Sequence, residues 1–94
     1  MSPAYTPGPW DVEPKGSRHF VDGADGLTVA YLDRAGVRER SEIEANARLI
    51  ASSPELLEAL EAVLPDLEHY VATHGPGPDK RLAAARAAIA KARG

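Results

Sequence analysis

The spacing of apolar residues along the chain changes once, near residue 40. Before that point it is strand-like: Trp10 and Val12 alternate around Asp11, and Glu13-Pro14-Lys15-Gly16 has proline and glycine in the places that favour a turn. Arg18 to Val21 predicts a second strand. It ends at Asp22-Gly23-Ala24-Asp25-Gly26, whose glycines accept positive φ at little cost and so connect hairpin strands. Leu27 to Leu32 predicts a third, with Leu27, Val29 and Tyr31 on one face and Thr28, Ala30 and Leu32 on a mildly apolar back, closed by Asp33-Arg34-Ala35-Gly36. Three short strands are marginal alone, so a helix has to cover one face.

After residue 40 the spacing becomes helical. Ser41-Glu42-Ile43-Glu44 reads as a capping box that starts a first helix, with Ile43, Ala47 and Ile50 as its apolar stripe. Ser52-Ser53-Pro54-Glu55 interrupts it; a serine ahead of the proline can cap, so a second helix is expected from Pro54. That helix repeats Leu56, Leu60, Val63, Leu67 and Tyr70 at the four-three spacing of a coiled-coil seam, flanked by Leu57, Leu64 and Val71. So wide a stripe exceeds what a three-stranded sheet covers, which predicts a helical hairpin or a homo-oligomer contact through those five residues. Pro65 removes one backbone hydrogen bond at about 3 kcal/mol and predicts a kink or break. Residues 74–79 form a loop by composition, and Asp79 or Pro78 can open a last helix with Leu82, Ala85, Ile89 and Ala92 on one face.

The fold class that follows is α+β: a short N-terminal antiparallel three-stranded β-meander, then a helical hairpin or bundle of about three helices, the second kinked at Pro65. One domain spanning 1–94 is expected, with an extended proline-rich arm over 1–9, the meander over 10–36 and the helical region over 41–94.

Composition narrows the chemistry. With no cysteine among 94 residues, disulfides, thiolate metal sites and a cysteine nucleophile are excluded together. The start, MSPAYTPGPW, has neither a basic nor an apolar leader region, and no run approaches a membrane span, so a cytoplasmic location in a bacterial host and no membrane partner are expected. Charge is unevenly placed. Residues 1–40 carry five bases and six acids, residues 41–74 one base and seven acids, residues 75–94 five bases and one acid. The basic last helix is expected to lie against the acidic one, and long nucleic acid is not an expected partner.

The histidines His19, His69 and His74 have no metal-ligand spacing, and Glu55, Glu58, Glu61 and Glu68 read as a solvated helix face. No serine elbow, phosphate-cradling loop or nucleophile–base pair can be read, so no enzyme and no cofactor are expected. Asn46 and Arg48 are polar positions on the first helix, where surface pairing is the bland reading. Arg18, His19, Arg34, Arg38 and Arg40 add donors that, with Arg48, could clamp an anion through bidentate contacts. Trp10 and Tyr31 could stack on a base, although aromatic residues in so small a chain more often serve the core or a sheet face.

Two stretches, Thr6-Pro7-Gly8-Pro9-Trp10 and the run from Glu44 to Leu60 reading EANARLIASSPELLEAL, together resemble a widespread group of small phage and prophage proteins. In that group a TPGPW-like start leads through a β region into a segment close to ANARLIAAAPELLEAL; the last helix is not covered. The resemblance implies a phage origin. By analogy with small phage counter-defence proteins, it suggests a homo-oligomeric sponge for an anionic nucleotide signal, such as a cyclic nucleotide or an ADP-ribose derivative. The alternative is an inhibitor or adaptor of a host defence protein, acting through the seven acids of the acidic helical region.

Overall fold

The computed structural model describes residues 5–16, 18–33, 39–75 and 79–94. In chain order the elements are β1 (Asp11–Lys15), β2 (Arg18–Asp22), β3 (Thr28–Asp33), α1 (Arg40–Ala51), α2 (Ser53–His74) and α3 (Lys80–Arg93). The strands form an antiparallel sheet in the order β1-β2-β3, so the α+β architecture is as its spacing predicts. The chain divides into two compact units, Met1–Glu55 and Leu56–Gly94.

In the first unit, the β1–β2 turn lies later than expected. Pro14 sits within β1, opposite His19, and the strands close at Lys15 opposite Arg18, just before Gly16 at φ 64°. A proline fits there because β1 is an edge strand, where a missing N–H costs no ladder bond. The β2–β3 connection uses its glycines as predicted. Gly26 has φ 84°, and Gly23 N–H donates to the Leu27 carbonyl at 2.9 Å. Gly23 is also packed tightly, since a Cβ there would stand 2.8 Å from Thr6 Cγ2.

The two faces of β3 are used in the reverse of the expected sense. Register places Val21 opposite Ala30 and His19 opposite Leu32, and this set faces α1. Leu27, Val29 and Tyr31 are exposed instead. The cause is the helix: α1 presents Ala47 and Ala51, both buried, and such small side chains bring its backbone close enough that Ala30 and Leu32 fill the space. Trp10, Val12 and Ile50 border the Val21–Ala47–Ala51 cluster, and Trp10 Nε1 donates to the Thr6 carbonyl at 2.9 Å.

The predicted capping box is not formed. The N-cap is Glu39, with no side-chain bond to the first-turn amides, and the Glu44 carboxylate accepts from Arg40 Nε at 3.2 Å. An ion pair one turn apart competes directly for the carboxylate that the box would need. Nor do the serines cap α2: Ser52 and Ser53 hydroxyls donate to the carbonyls of Arg48 and Leu49, closing the end of α1. Pro54 is buried, and Gly8 lies against it so closely that a Cβ would meet Pro54 Cβ at 3.1 Å. The two stretches that carry the phage resemblance therefore touch.

In the second unit, α2 continues as one helix through Pro65, without a break. Arg93 pairs with Glu61 through two bonds of 2.7 Å, and Arg86 pairs with Glu68 at 2.7 Å, which sets α3 alongside the acidic helix as its charge predicts. Asp79 caps α3, accepting from the amides of Arg81 and Leu82. Leu57, Leu64 and Val71, on the side of α2 that carries Glu61 and Glu68, are half-buried. Of the expected contact stripe, Leu60 and Leu67 are half-buried too, whereas Leu56, Val63 and Tyr70 stay exposed. Among the described residues no helix is long and apolar enough to cross a membrane.

Candidate functional site

The most chemically equipped feature of the first unit is an open recess of about 300 Å³ lined by Val12, Pro14, His19, Arg40, Glu44 and Arg48. Two periodicities build it. On the sheet, alternation puts Val12, Pro14 and His19 on the face toward α1. On the helix, Arg40, Glu44 and Arg48 follow one another at four-residue spacing and so form a polar ridge beside the buried stripe of Ile43, Ala47 and Ala51. Val12 and Pro14 supply an apolar wall, and the ridge supplies charge.

His19 is the pivotal side chain. It is only 3% exposed, and Nδ1 has no hydrogen-bond partner among the described residues. Nε2 lies 3.8 Å from Glu44 Oε1, a contact that becomes an ion pair when the ring is protonated. A buried ring nitrogen with no partner is costly to the fold, and the cost is relieved by any molecule that supplies the missing donor or acceptor. Glu44 holds Arg40 through the 3.2 Å bond, while the Arg48 guanidinium makes no hydrogen bond or ion pair among the described residues. The recess therefore offers one oriented guanidinium, one uncommitted guanidinium and one unsatisfied imidazole nitrogen.

Of the residues singled out from sequence, His19, Arg40 and Arg48 are brought together here. Arg18 and Tyr31 are not: each differs by an odd number of positions from an inward-facing neighbour on its strand, so both lie on the opposite face of the sheet. Trp10 borders the core cluster and does not line the recess. Asn46 is two residues from both Glu44 and Arg48, which places it on the far flank of α1. Arg34 and Arg38 lie outside the described residues. Sequence reading missed Glu44 as a member, along with Val12 and Pro14. The signal is the i, i+4, i+8 spacing of Arg40, Glu44 and Arg48, which competes with the capping box that Ser41 and Glu44 also fit.

Among the described residues no group of histidine or acidic side chains is placed to hold a metal ion. In the second unit the strongest electrostatic feature is local: the Arg81 guanidinium hydrogen-bonded to Asp79 holds that carboxyl at a pKa of about 2, and the Arg93 pair lowers Glu61. Asp79 thus caps α3, and the Glu61–Arg93 pair ties α3 to α2.

A family model described as Salmonella phage P22 protein Y8K6 matches residues 1–94. No curated protein and no solved structure matches. That description gives an origin and no activity, and it agrees with the phage resemblance carried by the Gly8 and Pro54 stretches. Since the match spans the whole length, the chain belongs to the Salmonella phage P22 protein Y8K6 family.

Proposed function

We propose that this phage protein is a non-enzymatic binding protein that captures a small phosphorylated ligand in the recess between β2 and α1. Its ligand class is the anionic nucleotide signal of a host defence system, a cyclic nucleotide or an ADP-ribose derivative, and its working form is a homo-oligomer. The observation that carries the reading is the convergence of Arg40, Arg48 and a buried His19 with an unpartnered Nδ1 on one recess. A guanidinium fork matches two phosphate oxygens, and charge-assisted bonds of that kind are about twice as strong as neutral ones. Glu44 fixes Arg40 and limits the net positive charge, which favours a compact phosphate or pyrophosphate group over a long polyanion. The wall of Val12 and Pro14 suits the apolar side of a sugar.

The non-enzymatic part rests on the lining, which has no Ser, Thr, Cys or Lys among the described residues and whose one carboxylate, Glu44, is engaged by Arg40. The oligomeric part rests on Leu56, Val63 and Tyr70, large apolar side chains left exposed along α2. A reading through the acidic helical face has less support, because Glu61 and Glu68 are already engaged by Arg93 and Arg86.

The test is thermal melting against cyclic di- and trinucleotides, ADP-ribose and inorganic pyrophosphate. A ligand at about 100 times its Kd should add about 2.7 kcal/mol of stability. Arg48→Ala should remove the shift and Glu58→Lys should leave it intact. No shift with any of these compounds refutes capture in the recess.

A further inference from the structure

Two groups converge on one oxygen of Glu44. Arg40 Nε lies 3.2 Å from Glu44 Oε1, and His19 Nε2 lies 3.8 Å from the same atom. The first distance is a hydrogen bond and the second is not, so Arg40 holds the carboxylate and the imidazole only approaches it. Which of them holds Glu44 depends on the charge of the ring. A neutral imidazole has one N–H, whereas the protonated ring is a cation that donates from both nitrogens.

The strand neighbours of His19 are apolar: Pro14 stands opposite it on β1 and Leu32 opposite it on β3. The charged groups that share the recess with it come from α1 and are Arg40, Glu44 and Arg48; among the described residues no other titratable side chain lines that space. The ring therefore sits beside two guanidinium groups and one carboxylate. An anion seated between the guanidinium groups adds negative charge next to the ring, and an adjacent negative charge favours the protonated form of a histidine.

We infer that anion capture in the recess is coupled to the uptake of a proton at His19, with Glu44 passing from Arg40 to the protonated ring as the anion arrives. The coupling rests on the capture function proposed above and adds its regulation. The proton comes from solvent and goes to the unprotonated ring nitrogen; no bond of the ligand forms or breaks. In the free protein Glu44 engages Arg40, and Arg48 is uncommitted among the described residues. After the exchange, His19 and Glu44 form the ion pair, and both guanidinium groups are free to take phosphate oxygens through charge-assisted bonds. The complex then holds more protons than the free protein, so affinity for an anion of fixed charge rises as pH falls. The rise belongs to the range in which histidine changes charge, between about pH 5 and about pH 8.

The test follows the His19 ring of the full chain by NMR from about pH 5 to about pH 8, with saturating inorganic pyrophosphate and with chloride matched for ionic strength. Reading the ring itself leaves out protons taken up by pyrophosphate. The His19 midpoint should move to higher pH on saturation, while His69 and His74, which do not line the recess, should keep theirs. Glu44→Gln supplies a second arm, because it releases Arg40 at every pH. It should bind pyrophosphate at least about fivefold more tightly than wild type near about pH 8, an advantage that shrinks at least about threefold by about pH 5.5. Taking the ratio of the two affinities cancels the titration of pyrophosphate. An unmoved His19 midpoint alongside saturable shifts at Arg40 and Arg48 overturns the coupling and leaves capture standing. A ratio that stays constant with pH overturns the exchange of Glu44. No saturable change at the recess at any pH refutes capture itself, and the coupling with it.

Discussion

Replacing His19 with leucine is expected to stabilise the free protein while removing its ability to capture a ligand. The imidazole is almost fully buried with Nδ1 unpartnered, and a buried polar atom left without a partner costs about 1–3 kcal/mol. Leucine has similar volume and no polar atom, so it removes that cost and keeps contact with the recess wall. Against the gain stands the 3.8 Å contact to Glu44, whose carboxylate is partly exposed, and a pair of that kind is worth about 0–1 kcal/mol. The balance is a stabilisation of about 0–3 kcal/mol. In a chain of this size each kcal/mol moves the melting temperature by about 4–8 °C. Differential scanning calorimetry of His19→Leu without ligand should therefore show a rise, about 4–8 °C for each kcal/mol gained, and the pyrophosphate-induced shift expected for wild type should vanish. A fall in melting temperature would mean that His19 is a structural core residue, and the reasoning from its unsatisfied nitrogen would fail.

Other outcomes follow from the same contacts. Gly23→Ala forces a Cβ to 2.8 Å from Thr6 Cγ2 and should cost about 1–3 kcal/mol in chemical denaturation; adding Thr6→Ser, which removes that methyl, should recover part of the loss. Asp79 is held at a pKa of about 2 by its bond to Arg81, and Glu61 is lowered by Arg93. Because both folded values lie below the unfolded ones, their stabilisation of the α2–α3 hairpin is present above the ordinary carboxylate range and is lost as pH falls through the lowered values. Helical circular dichroism should therefore decline between about pH 4 and pH 2, and carboxyl NMR should place the Asp79 midpoint near 2; a midpoint at the ordinary aspartate value would contradict the cap geometry. Val63→Glu places a charge in the exposed stripe of α2 and should reduce oligomer size in light scattering without altering the ligand-induced thermal shift.

Much of this architecture is legible in the residues because local signals agree with one another. The glycines after Asp22 and Asp25 mark the β2–β3 connection, Pro54 marks the opening turn of α2, and Asp79 marks the cap of α3. The errors come from competition that sequence spacing does not display. Pro14 reads as a turn residue until β1 is known to be an edge. Leu27, Val29 and Tyr31 read as the buried face because they are larger than Thr28 and Ala30, but Ala47 and Ala51 let the helix approach the smaller side. Glu44 fits a capping box until Arg40, one turn earlier, proves to be inside the helix. For the site, residue type identified the right chemistry and element geometry then selected from it. Strand alternation separates His19 from Arg18 and Tyr31, and helical spacing separates Arg48 from Asn46, so three of the chosen donors meet and the other described ones do not.

The account depends most on the recess, and NMR of isotopically labelled protein titrated with inorganic pyrophosphate and then with a cyclic dinucleotide addresses it directly. Saturable shifts should centre on the His19 ring and the Arg40 and Arg48 guanidinium groups, with Arg18, Tyr31 and Asn46 unmoved. Shifts that centre on Arg18 and Tyr31, or no saturable change at His19, would contradict it.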